Sequence, residues 1–145
     1  MSLSSLKIEW TTVKVAGGEV ALRGLSFSDL TKLMVQHAKE LNGLIVAVSE
    51  KAEDDSAVIG AAVEYLTSNA EVLMAKIIAT AANEPEKFET VLQLPGPSQF
   101  DMLMAVIRMT FSEPDSLGKF ARNISDLLRM AAPGLKFLAE STRTS

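Results

Sequence analysis

A single histidine, His37, and the absence of cysteine limit the chemistry open to this 145-residue chain. Without thiols there is no disulfide, no thiolate nucleophile and no cysteine-ligated zinc or iron–sulfur site. His37 and Glu40 have the spacing of two metal ligands on one helix face, but neither a second histidine nor a third ligand accompanies them. His37 therefore reads as a partly buried structural residue. Glu53, Asp54 and Asp55 are adjacent acids without the spaced oxygens and central glycine of a calcium loop, so they read as a solvated loop. Gly17-Gly18 precedes an alternating strand pattern rather than the lysine and hydroxyl residue of a phosphate loop. Ser98 and Ser112 lack a nucleophile-elbow pattern, and only His37 could serve either as base. The expectation is no catalytic residue, no cofactor and no metal: a protein that binds rather than one that catalyses.

The elements that would carry these residues begin with Lys7 to Val15, where Ile8, Trp10, Val13 and Val15 alternate with polar residues, with one break in phase at Thr11-Thr12. Period two and β-branched residues predict a strand. A turn at Ala16 to Gly18 and a return through Val20 and Leu22 complete a hairpin over 7–24. Helical spacing follows. Ser26 or Ser28 caps a helix running through Leu30, Leu33, Met34, His37, Leu41, Leu44, Ile45 and Val48 to about Glu50. Lys51 to Asp55 is a charged break. A second tract runs from Val58 to Ile78, with Ser68-Asn69 as a point where it splits in two.

Asn83-Glu84-Pro85-Glu86 opens a short helix carrying Phe88, Val91 and Leu92, which ends at Leu94-Pro95-Gly96-Pro97. Pro97-Ser98 opens the next helix, to about Phe111. A turn at Ser112 to Ser116, a helix carrying Leu117, Phe120, Ile124, Leu127 and Leu128, a break at Pro133-Gly134 and a last turn at Leu135 to Leu138 complete the pattern. The fold class is mainly α, a short N-terminal β-hairpin followed by a compact bundle of about five or six helices. It forms one domain over 1–145, with the helical bundle over 26–139 and a frayed polar tail over 140–145.

Composition agrees with a globular class, being 48% apolar and 22% charged. The net charge of −4 disfavours general nucleic-acid binding, which needs clustered Lys and Arg. From Glu50 to Glu89 nine acidic residues against three basic give −6, whereas residues 101–145 carry five acidic and six basic, +1. Ordinary solvated faces account for this, and so does an acidic middle meeting a basic end in self-association. No apolar run approaches the roughly 18 residues of a membrane span, and MSLSSLKIEW lacks the order of an export signal.

The helix from Ser98 to Phe111 is apolar on two sides. Phe100, Leu103, Met104, Ile107 and Phe111 share one side, with Met102, Val106 and Met109 roughly opposite. Two readings follow: a central helix packed on both sides, or a helix whose second side, Met102, Val106 and Met109, meets another chain through adaptable methionines. The hairpin, marginal alone, must pack on helices or join strands of another chain through its open edge, so oligomers are expected.

The run Val20-Ala21-Leu22-Arg23-Gly24-Leu25-Ser26, leading into Asp29 to Leu33 and His37, resembles the opening of tail assembly chaperones, or pre-tape-measure proteins, of long-tailed bacteriophages. The Ile77 to Pro85 stretch, Leu94-Pro95 with Gln99, Met109-Thr110-Phe111 and Leu117 to Phe120 follow in the same order. The resemblance covers roughly Val13 to Leu128. It implies a non-enzymatic protein that holds the tape-measure protein soluble until tail tube subunits polymerise around it. It implies residence in the host cytoplasm, absence from the mature virion, and often a longer frameshifted product. The alternative is a structural virion subunit, a tail or head-completion protein.

Overall fold

The computed structural model describes residues 2–51 and 55–111, with the helical residues Lys119 and Asn123 beyond them. The expected features from Ser112 to the polar tail, and most of the charged break at Lys51 to Asp55, lie outside the described residues. After a single 3-10 turn at Leu3–Ser5, strands β1 (Trp10–Val15) and β2 (Gly18–Arg23) pair antiparallel, from Val15 opposite Gly18 to Trp10 opposite Arg23. The two-residue turn falls on Ala16 and Gly17, and Gly17 has φ +96°, which a glycine adopts without strain. The strand expected from Lys7 is paired only from Trp10, because β2 ends at Arg23 and leaves residues 7–9 nothing to pair with. Val20 and Leu22 face inward, and Leu22 is fully buried.

The helix expected to run unbroken to Glu50 is two helices, α1 (Phe27–Gln36) and α2 (Ala38–Ser49). His37, at φ −136° and ψ 44°, is the joint: its N–H donates to the Leu33 carbonyl and its own carbonyl accepts from Leu41. Both helices keep the apolar stripe, so periodicity alone did not register the break. The second tract also divides, at Ala70, into α3 (Asp55–Asn69) and α4 (Glu71–Ala81), close to the expected Ser68-Asn69. In α2 Gly43 lets α3 approach, since a Cβ there would overlap the Tyr65 hydroxyl.

The interior is centred on α4. Leu73, Met74, Ala75, Ile77, Ile78, Ala79 and Ala81 are all buried, an apolar circumference that marks an internal rather than a surface helix. Around it stand α1, α3, the strand β2, the short α5 (Phe88–Leu92) and α6 (Gly96–Thr110). A 3-10 turn at Pro85–Lys87 leads into α5, and Lys76 of α4 lies 5.1 Å from the centre of the Phe88 ring.

Candidate interaction surfaces

Helix α6 starts where Pro95 and Pro97 allow it and packs against both strands of the hairpin as well as α3 and α4. Met102 and Val106 are each 1% exposed and belong to the main core with Leu22, Leu66 and Leu73, while Met109 is half-buried. On the opposite side Leu103 is fully buried and Phe100 remains exposed. The second side of α6, expected as a possible outward surface, is thus corrected at Met102 and Val106. Burial within the chain accounts for their apolar character, because the hairpin and helices cover α6 from both directions.

Arg23, Gly24, Asp29, Thr80 and Asn83, all within the stretches that carry the family resemblance, meet in one joint. The Arg23 guanidinium donates from Nη1 to Asp29 Oδ2 at 2.7 Å and to the Gly24 carbonyl at 2.9 Å, from Nη2 to the Thr80 carbonyl at 3.3 Å, and from Nε to Asn83 Oδ1 at 2.9 Å. One side chain so ties β2 to the start of α1 and the end of α4. Asp29 closes a capping box, accepting from the Ser26 N–H while its own N–H donates to Ser26 Oγ. Burial alone would raise the Asp29 pKa; hydrogen bonds from the Arg23 side chain and from the Ser26 backbone and hydroxyl outweigh it and hold the carboxyl below its ordinary 3.8.

Asn83 does two things at once. At φ +59° it ends α4 in a Schellman motif, with Asn83 N–H on the Thr80 carbonyl and Glu84 N–H on the Ala79 carbonyl. Glycine would also serve that backbone, but only a side-chain oxygen also receives Arg23. Thr110 Oγ1 accepts the Leu25 N–H at 2.9 Å, and Gln99 Nε2 donates to the Val91 carbonyl at 2.8 Å. Gly24 lies so close to α6 that a Cβ would stand 2.8 Å from the Met109 carbonyl oxygen. Among the described residues, Arg23, Gly24, Asn83, Gln99 and Thr110 of these stretches therefore sit at joints of the fold. Sequence reasoning missed Arg23 as their hub because its partners lie up to 60 residues away.

The groups considered for chemistry are scattered. His37 and Glu40 line one hollow with Ser68, Asn69 and Glu71, and His37 Nε2 is buried without a hydrogen-bond partner. Among the described residues no three His, Cys, Asp or Glu side chains are placed to hold a metal ion. Ser98 is buried and its hydroxyl accepts the Ala16 N–H at 3.3 Å, which fastens the hairpin turn to α6. Gly17 is the second turn residue of the hairpin and Gly18 the first of β2, and Ser112, Glu53 and Asp54 lie outside the described residues.

Among the described residues, two apolar surfaces stand out. The first is a cleft of about 90 Å³ bounded by Leu30 and Met34 of α1, Leu44 and Ile45 of α2, and Ile107 of α6, with Phe111 among its lining residues. Phe27 and Val35 stand exposed on the same helix α1. The second is the run Leu6, Ile8 and Trp10, whose side chains are 61%, 70% and 45% exposed. Alternation in the sequence was the available signal for it.

No helix among the described residues is long and apolar enough to cross a membrane. Comparison with curated proteins and with solved structures gives no match. A family model does match, over residues 1–145, and by it the chain belongs to the pre-tape-measure protein family.

Proposed function

We propose that this protein is a phage tail assembly chaperone that binds the tape-measure protein and keeps it soluble before the tail tube polymerises. Membership of the pre-tape-measure family over the whole chain carries the reading. The cleft beside α1 supports it: its lining is almost wholly apolar and suits aliphatic or aromatic side chains of a long, poorly soluble partner. The described residues offer shape and apolar surface for this work, and none of the joints above needs to do chemistry. The reading includes self-association of the chain, action in the host cytoplasm and absence from the finished particle.

Co-expression with the tape-measure protein tests it. The expected outcome is a soluble complex recovered by pull-down, with the tape-measure protein insoluble when expressed alone. Equal solubility with and without this chain, and no complex, overturns the proposal. Mass spectrometry of purified virions separates it from a structural subunit, which would be present in the particle.

A further inference from the structure

We infer that residues 6–10 are a self-complementary strand that joins two copies of this chain edge to edge. The inference deepens the self-association in the proposed function and does not depend on the tape-measure contact. Leu6, Ile8 and Trp10 are exposed apolar side chains at every second residue, and the intervening Lys7 and Glu9 carry opposite charges. Among the described residues, Lys7, Ile8 and Glu9 make no backbone hydrogen bond. Leu6 is extended, at φ −78° and ψ 140°, and residues 7–9 lead directly into β1, whose outer edge has no strand partner among the described residues.

The register follows from charge and from backbone phase. With Ile8 opposite Ile8 in an antiparallel pair, Lys7 of each copy faces Glu9 of the other, and Leu6 of each faces Trp10 of the other. The two nearest registers that keep the apolar side chains on one face set Lys7 against Lys7 or Glu9 against Glu9, and like charges directly opposite are destabilising. A slip of one residue sets apolar side chains opposite charged ones. Backbone phase agrees. In a two-residue hairpin turn Val15 and Gly18 exchange both hydrogen bonds, so Val13 and Thr11 turn their polar groups toward β2. Trp10, Thr12 and Lys14 then turn theirs to the outer edge, and Ile8 and Leu6 continue that phase. Pairing Ile8 with Ile8 brings open donors to open acceptors, and Leu6 opposite Trp10 sets the Trp10 N–H on the Leu6 carbonyl; the Leu6 N–H, held by the Leu3 carbonyl at 3.1 Å, must leave the 3-10 turn to complete that pair. The product joins the two hairpins through their paired 6–10 segments, about a two-fold axis at Ile8, a closed isologous contact.

Sedimentation equilibrium on the full chain tests the register by charge exchange. The parent should dimerise, and Lys7→Glu or Glu9→Lys alone should weaken dimerisation by about tenfold or more, since each places like charges opposite one another twice. An equimolar mixture of the two single variants should regain the dimer as a heterodimer. The double variant, Lys7→Glu with Glu9→Lys, should regain it as a homodimer. A monomeric parent overturns self-association and register together. A parent dimer unmoved by the single exchanges, or a double variant as weak as the singles, overturns the register alone. Neither result bears on co-expression with the tape-measure protein.

Discussion

Residues 20–26 and residues 6–10 flank the same hairpin turn, yet the first run is bonded into α1, α4 and α6 while the second leaves its apolar side chains in solvent. Both runs alternate, and both are rich in apolar residues. What separates them is the length of β2, which stops at Arg23 and hands the chain to α1. The lesson is that a family's short motifs need not mark where it binds partners. Here Arg23, Gly24 and Asn83 mark where distant elements are locked together, and the exposed apolar side chains Leu6, Ile8 and Trp10 lie outside that joint.

That contrast can be broken most severely from the interior. Met102→Asp places a carboxylate in the core without a partner and should cost about 3–5 kcal/mol, read as a lost or strongly lowered urea midpoint. An unchanged midpoint would show that this side of α6 is surface after all. Arg23→Ala should cost about 1.5–3 kcal/mol by the same measurement, because it strips a charged donor from Asp29, Thr80 and Asn83 together.

The joint also has a pH signature. The folded-state pKa of Asp29 is depressed, so its contribution is present above the ordinary value of 3.8 and disappears as pH falls through the lower folded value. Asp29→Asn should remove that part of the acid dependence and lower stability at neutral pH; an unchanged acid limb in the stability curve would discount the bond. The smallest effect sharpens the comparison from the other side. Ile8→Ser, compared with the parent at a concentration where both are monomeric, should leave the thermal midpoint within the range expected for about 0.5 kcal/mol, while it weakens dimerisation at higher concentration. A large loss of stability would place Ile8 in the core.

Much of the fold was legible because it rests on local physics. The hairpin turn, the proline boundaries around α5 and α6 and the serine cap of α1 are set by residues near one another in the chain. The break at His37 was not legible, since Leu33, Leu41 and Ile45 are buried on either side of it and the apolar spacing survives the bend. For α6 the sequence displayed two apolar sides correctly but carried no information on whether the chain itself or another chain covers them. Leu22 and α4 decide that, through contacts no local pattern records. Arg23 was hidden for the same reason, although Ser26 and Asp29 at capping-box spacing pointed to its neighbourhood.

The long spans of these bonds also set a timetable for synthesis. The hairpin leaves the ribosome early, but Ala16 finds Ser98 82 residues later and Leu25 finds Thr110 85 residues later. At about 5–20 residues per second, those partners follow roughly 4–17 seconds behind. For that interval the nascent hairpin lacks α6, the helix that packs on both of its strands. Elongation therefore governs when the first part of the chain can close on the last helix described, and slow codons between the two would prolong the time the strands stand uncovered.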